Sequence, residues 1–165
     1  VGQTLGLSAD EIKAGIESLV PVSGRNNLIE TDSLLIIDDC YNANPISMKA
    51  SLDVLATADT RKVAIMGDMF ELGANEKELL ADCGRHAAEK GIDVVICIGE
   101  LSKNTAEGAS SVVSATACNT KVYHFDTKAD FLRDCNNILR KGDTVLVKAS
   151  HGMEFPEIVE YLKDF

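Results

Sequence analysis

Five short runs of almost wholly apolar residues punctuate the chain, at 34–38, 63–66, 94–98, 122–125 and 145–148. Runs of this length, rich in Val, Ile and Leu, read as strands buried on both faces, as in a parallel sheet covered by helices. Between them the apolar positions recur at helical spacing. Helices are expected at about 45–58, 75–90, 103–115, 128–140 and 155–163. Pro45 suits a first helical turn, Gly91 and Gly142 suit helix ends, and 103–115 is the weakest of the five because it is rich in Ser and Ala. In the 75–90 helix, Leu79, Leu80, Cys83 and Ala87 face the core. A further strand at 28–31 precedes the first run, with Asp32-Ser33 as a two-residue turn, which makes this pair antiparallel. Ahead of it, Ser8 and Glu11 have capping-box spacing, Ile12, Ile16 and Leu19 share a helical face, and Pro21 stops the helix. Residues 21–27 are polar turn formers and read as a linker. The pattern predicts an α/β fold: a three-layer, Rossmann-like domain with a mostly parallel six-stranded sheet and one antiparallel strand from an N-terminal hairpin.

Composition narrows the function classes. The 165 residues are 45% hydrophobic and 25% charged, an ordinary globular mixture. The formal net charge of -10 disfavours nucleic acid and anionic membrane surfaces as partners, while leaving room for a local basic pocket. No apolar run approaches the ~18 residues of a spanning helix. The opening Val1-Gly2-Gln3-Thr4 lacks a start Met and the features of a signal peptide, and reads as the interior of a longer polypeptide. Cys40, Cys83, Cys97, Cys118 and Cys135 are odd in number and none has Cys-x-x-Cys spacing, which fits free thiols in a reducing cytoplasm. His86 reads as plain helix surface, His124 as a structural strand residue, His151 as an exposed loop histidine, and the Met residues as core filler.

In an open parallel sheet, ligands bind at the carboxyl ends of the strands. The first parallel strand ends in Asp38-Asp39-Cys40-Tyr41-Asn42-Ala43-Asn44-Pro45 and the second in Gly67-Asp68-Met69-Phe70-Glu71-Leu72-Gly73. The third ends in Gly99-Glu100, the fourth in Asp126-Thr127 and the fifth in Lys148-Ala149-Ser150-His151-Gly152. Two carboxylate-rich loops and one Lys/Ser/His loop therefore share an edge that could hold a sugar hydroxyl, a magnesium ion or a phosphate. Structural roles compete with these. Asn44 or Asp39 could cap the following helix, Asp68 could tie down its own glycine loop, and Lys148 could snorkel from a strand end. Neither a Gly-x-x-x-x-Gly-Lys-Ser/Thr loop nor Gly-x-Gly-x-x-Gly, Gly-x-Ser-x-Gly or His-Glu-x-x-His is present. From the residues alone, this is a polar site without a complete catalytic engine.

The strings Asp38-Asp39-Cys40-Tyr41-Asn42-Ala43-Asn44-Pro45, Gly67-Asp68-Met69-x-Glu71-Leu72-Gly73 and Val145-Leu146-Val147-Lys148-x-Ser150 resemble the C-terminal domain of Mur ligases, in particular the branch that adds D-Ala-D-Ala. The stretch from Gly6-Leu7-Ser8 to Gly24-Arg25 resembles the end of that family's central ATPase domain. The resemblance implies that residues 1–26 are the tail of the central domain with its linker, and 27–165 the C-terminal domain. It implies a part of an ATP-dependent, amide-forming enzyme of peptidoglycan precursor synthesis, cytoplasmic and monomeric, inactive as this piece alone. Its small-molecule partners would be ATP, D-Ala-D-Ala and a UDP-sugar tripeptide, with Mg2+ held by the missing domains and no metal ligand here. Arg25 would reach the nucleotide, Asp39 would accept its ribose hydroxyls, and Tyr41, Asn42 and Asn44 would line its side of the cleft. Lys148, Ser150 and the Asp68 loop would lie nearer the acyl phosphate and the dipeptide. The family's usual Lys-Gly-Ser-Arg is here Lys148-Ala149-Ser150-His151, which stiffens one backbone position and replaces a permanent cation with a titratable group.

Two other classes compete. A phospho-receiver module also carries an acidic pair, a later Asp and a Lys closing the fifth strand. Against it, the third strand ends in Gly99-Glu100, Ala follows Lys148, and the leading helix has no place in that fold. A noncatalytic nucleotide-binding module would share the edge chemistry without the upstream phosphate loop.

Overall fold

The structure, a computed structural model, describes residues 1–18 and 24–165. The expected stop at Pro21, the core position of Leu19 and the first part of the linker lie outside the described residues. Helix α1 (Ala9–Glu17) begins with the anticipated capping box, in which the Ser8 side chain accepts from the Glu11 N–H and Glu11 reaches back to Ser8. Then follow β1 (Asn27–Glu30), β2 (Leu35–Asp38), α2 (Pro45–Ala56), β3 (Lys62–Gly67), α3 (Glu76–Glu89), β4 (Val94–Ile98), α4 (Lys103–Ala115), β5 (Lys121–Phe125), α5 (Lys128–Ile138), β6 (Thr144–Lys148) and α6 (Pro156–Lys163).

The six strands form one sheet in the order β1-β2-β6-β3-β4-β5, with only the β1–β2 pair antiparallel. Because side chains alternate along a strand, each strand feeds two cores. Ile36, Val63, Ile65, Val145 and Val147 pack with α5 and α6 through Phe131, Phe155 and Ile158. Ile37, Ala64, Met66 and Leu146 pack on the other face with α2, α3 and α4 through Leu52, Leu80 and Ala109. Connections that step toward β5 thus lie on one face. The return from β5 to β6 lies on the other, as right-handed crossovers require.

Several boundaries move from their expected places. At the hairpin the Thr31 N–H donates to the Leu34 carbonyl at 2.9 Å and closes the expected turn at Asp32-Ser33, but the Thr31 hydroxyl takes the Ser33 and Leu34 N–H groups at 3.2 and 2.8 Å, so the regular strands stop at Glu30 and Leu35. Helix α5 ends at Ile138, two residues early, where the buried Asp143 carboxylate accepts from the Arg140 N–H and the Arg61 guanidinium, each at 2.8 Å. His86 is not plain surface; its Nε2 lies 2.9 Å from Asp53 and ties α3 to α2. His124 is structural as expected, its Nε2 lying 2.8 Å from the Gly99 carbonyl. Met48, Met66 and Met69 are core, and all five cysteines are free.

Candidate functional site

Between β2 and β6 the outgoing connections diverge, α2 to one face and α6 to the other. A strand-order switch of this kind opens a crevice at the carboxyl ends. Asp39 extends the pairing by one bond, donating its N–H to the Val147 carbonyl at 3.1 Å, and then the chain peels away. The register places Asp38 opposite Val147 and Met66 opposite Lys148, so the ends of β2, β3 and β6 meet here.

Asp39 and Lys148 form a buried ion pair: Lys148 is 2% exposed, and its Nζ lies 2.5 Å from Asp39 Oδ2. The same ammonium reaches the Asn42 carbonyl at 3.1 Å and the Asp39 carbonyl at 3.4 Å, so all three of its N–H groups have acceptors. Asp39 Oδ2 also receives the Ser51 hydroxyl at 2.6 Å, and Oδ1 receives the Asn26 N–H at 3.1 Å. Three donors thus occupy a carboxylate with about four lone-pair sites, leaving one on Oδ1. Asp39 does not cap α2. That task falls to Asn44, whose side chain accepts from the Ser47 N–H at 2.9 Å while Ser47 accepts from the Asn44 N–H.

Arg25 lies with its guanidinium carbon 4.1 Å from the centre of the Tyr41 ring, and His151 sits beside the same ring at 5.7 Å. Arg25, Asp39, Tyr41, Asn42, Asn44 and Lys148 therefore line one cleft of about 340 Å³. Ser150 lines a second cleft of about 370 Å³ with Asn42, Asn44, Phe70, Glu71 and His151. Asn42 and Asn44 are common to both. The Ser150 hydroxyl accepts from the Phe70 N–H at 3.0 Å, and its N–H donates to the Asp68 carbonyl at 3.0 Å, strapping the β3–α3 and β6–α6 loops together. Its own hydroxyl hydrogen keeps no acceptor among the described residues.

The structure brings together seven of the eight residues singled out by sequence. The Asp68 side chain stands apart: its carboxylate accepts from the Ser102 N–H at 2.7 Å, and it lines neither cleft. It holds down the loop after β4, where Gly99 has φ +115° and a Cβ would meet the carboxylate at 2.5 Å. Lys148, which the resemblance puts with Ser150 nearer the acyl phosphate, lines the cleft of Asp39. Ala149 is buried against Gly67, where a Cβ would meet the Ala149 methyl at 2.7 Å. Sequence reasoning missed Ser51, Asn26, Ser47 and Phe70. Ser51 lies one helical turn beyond Ser47, a spacing that could have placed both on the cleft side of α2.

Neighbouring acidity matters for one thiol. Burial, together with its hydrogen bond to Asp38 at 2.8 Å, pushes Cys40 up to about 12, so it stays a protonated donor. Among the described residues no group of three or more His, Cys, Asp or Glu side chains gathers to suit a metal ion. The acidic groups do not converge as a phospho-receiver would require, since Asp39 is paired to Lys148 and Asp68 is turned to Ser102.

A mostly parallel α/β sheet with a Lys–Asp pair at its strand-order switch defines the class, and the chain belongs to the Mur ligase family, matching its glutamate ligase domain over residues 24–151. The chain is 36% identical to UDP-N-acetylmuramoyl-tripeptide–D-alanyl-D-alanine ligase of Bacillus subtilis and 32% identical to that of Escherichia coli. These alignments cover 98% and 99% of this chain but 35% of either relative. Among solved structures it resembles MurF from Acinetobacter baumannii, with a TM-score of 0.82, 30% identity, and coverage of 99% of this chain and 35% of that one. It also resembles the MurF ligase of Thermotoga maritima crystallised in complex with ADP, at TM-score 0.79 and 27% identity over 99% of this chain and 35% of that one.

Proposed function

We propose that this chain is the nucleotide-closing, amine-presenting C-terminal part of an ATP-dependent ligase that joins D-Ala-D-Ala to UDP-N-acetylmuramoyl-tripeptide. The observation that carries the reading is the pair of clefts sharing Asn42 and Asn44, one built on Asp39 and Lys148, the other on Ser150, Glu71 and His151. Two adjoining polar clefts suit two ligands that must meet. The first would take the nucleoside end of ATP, with the free lone pair of Asp39 Oδ1 accepting one ribose hydroxyl and Arg25 on Tyr41 facing the nucleotide. Lys148 serves this role through Asp39, fixing its carboxylate rather than reaching a phosphate. The second would take the dipeptide, whose ammonium suits Glu71 and whose carboxylate suits the Ser150 hydroxyl and His151.

In the reaction, an oxygen of the tripeptide carboxylate bonds to the γ-phosphorus as the bond to the ADP oxygen breaks. The dipeptide ammonium gives up one proton to become a free amine, whose nitrogen then bonds to the acyl carbon as phosphate leaves and loses a second proton. The acyl phosphate is hydrolysable, so a domain that closes over it protects it from water. We assign residues 1–26 to the end of the preceding domain and 27–165 to the closing one, and place the protein in the cytoplasm as a monomer. The test uses a polypeptide carrying this chain behind the family's other domains. Release of ADP and phosphate should require both the UDP-sugar tripeptide and D-Ala-D-Ala. Equal turnover with an unrelated amine would overturn the dipeptide assignment.

A further inference from the structure

Asp38 is a carboxylate at 4% exposure that the proposed chemistry does not touch. No ion pair reaches it among the described residues. Its carboxylate has three donors: the Gly24 N–H reaches Oδ2 at 3.0 Å, while the Cys40 thiol and the Cys40 N–H reach Oδ1 at 2.8 and 3.4 Å, so Gly24 is the sole donor on Oδ2 among the described residues. Its neighbour Asp39 receives the Asn26 N–H at 3.1 Å, and the Tyr41 N–H donates to the Gly24 carbonyl at 2.9 Å. Residues 24–26 are thus laid across the β2–α2 loop by three bonds from outside the sheet ladder. Between the anchored Gly24 and Asn26 stands Arg25, exposed, with its guanidinium over Tyr41.

The backbone of this strap is specialised. Gly24 has φ +77°, and a Cβ there would meet the Tyr41 nitrogen at 3.1 Å; Asn26 has φ +47°, a conformation Asn tolerates better than most residues. A side chain at Gly24 would press on the Tyr41 backbone and push the strap from this seat. A buried carboxylate losing the Gly24 N–H would lose one of its few donors, which favours the seated strap.

We propose that Asp38 is a positioning residue of the nucleotide cleft: it seats the strap 24–26 through the Gly24 N–H and thereby fixes Arg25 over Tyr41, without touching the nucleotide itself. The proposal rests on the reading of this cleft as the nucleotide site. It makes Asp38 and Asp39 a divided pair, the first holding the strap and the second facing the ligand.

Two readouts on the whole 165-residue chain separate the seating from the nucleotide reading. The first is trypsin cleavage after Arg25, followed by mass spectrometry of the fragment beginning at Asn26, with no nucleotide present. Cleavage of a seated strap needs it to open, so its rate reports the open population. Asp38→Ala should speed this cut by roughly tenfold, the scale of one hydrogen bond to a charged group. Asp38→Asn keeps an oxygen acceptor for Gly24 and should restore most of the protection. Gly24→Ala attacks the same seat from the other side and should match Asp38→Ala even if that variant folds poorly. Unchanged cleavage after Arg25 in folded Asp38→Ala or Gly24→Ala overturns the proposal.

The second readout is ATP affinity, followed by amide shifts, in a double-mutant cycle of Asp38→Ala with Arg25→Ala. If Asp38 acts through Arg25, its removal should weaken ATP several-fold in the wild type and change little once Arg25 is gone. A purely structural Asp38 would weaken binding equally in both backgrounds, and that additive result overturns the positioning role. Absence of any ATP-induced shift in the wild-type chain overturns the nucleotide reading, and the positioning role with it, while the trypsin result still tells whether Asp38 seats the strap.

Discussion

Asp39 joins the cleft proposed for the nucleotide to the core, and that double duty sets what its mutants should do. Removing the carboxylate would leave Lys148 buried without its counter-charge, and breaking a buried pair by one partner costs about 3–5 kcal/mol. Asp39→Ala should therefore unfold at markedly lower urea, which masks any ligand effect. Asp39→Asn removes the same counter-charge but keeps an acceptor for Lys148 and Ser51, so it should lose less stability than Asp39→Ala and is the informative variant. In a ligase-length protein it should raise the KM for ATP by about one order of magnitude and shrink the penalty for 2′-deoxy-ATP. An unchanged deoxy penalty would remove Asp39 from ribose recognition. Thiols give an independent check. Cys40 and Cys83 are pushed from an ordinary value of 9.0 up to about 12 and about 11, in both mainly by burial. The unfolded chain releases these protons from about pH 9 while the folded chain retains them. Their contribution is full below pH 9 and falls as pH rises toward 11 and 12, by about 1.4 kcal/mol per thiol at pH 10. Urea midpoints of wild type and Cys40→Ala, measured from pH 8 to 10.5, should converge as pH rises. Parallel curves would contradict the shift.

Helix α4 shows where composition misleads. Its Ser, Ala and Gly residues read as weak helix, yet they let it approach α3 closely. A Cβ on Gly84 would come 1.9 Å from the Thr105 carbonyl oxygen, and one on Gly108 would come 2.0 Å from that of Ala81. Neither obstacle is a flexible side-chain tip, so helix axes must part. Gly84→Ala and Gly108→Ala should each cost about 1–3 kcal/mol or more by overpacking, despite the better helix propensity of Ala. A urea midpoint at or above wild type in both would show that the crossing is looser than this geometry. The same interplay explains what could be read in advance. Every parallel strand was visible because apolar runs flanked by polar residues leave little choice. Element ends were less so: at the hairpin turn the Leu34 N–H goes to the Thr31 hydroxyl, and Asp143 stops α5 from the far end of a loop. Asn44 betrayed its cap through its place just before Pro45. Ser150 gave no sign that its hydroxyl would bind the Phe70 N–H, because that partner is 80 residues away.

Strand order decides which polar ends become neighbours, and apolar runs do not encode it. The insertion of β6 between β2 and β3 brings Lys148 to Asp39 across 109 residues and leaves Asp68 beside β4, turned to Ser102. The resulting cleft has fixed its own charges before any ligand arrives. All three N–H groups of Lys148 have protein acceptors, Arg25 lies on Tyr41, and no phosphate loop exists in the sequence. A γ-phosphate would therefore find little here that the rest of the nucleotide does not already use. The chain alone should bind ATP and ADP with affinities within about tenfold of each other, since a further phosphate gains at most one solvent-screened cation, worth about 1 kcal/mol. It should also release no phosphate from ATP when given tripeptide and D-Ala-D-Ala, because none of the described residues is placed to polarise the γ-phosphorus. Titrating ATP, ADP and 2′-deoxy-ATP against amide shifts of residues 39–44, alongside a phosphate-release assay, checks both. Preference for ATP well beyond tenfold, or phosphate release abolished by Lys148→Met, would mean that Lys148 leaves Asp39 for the phosphates when nucleotide binds.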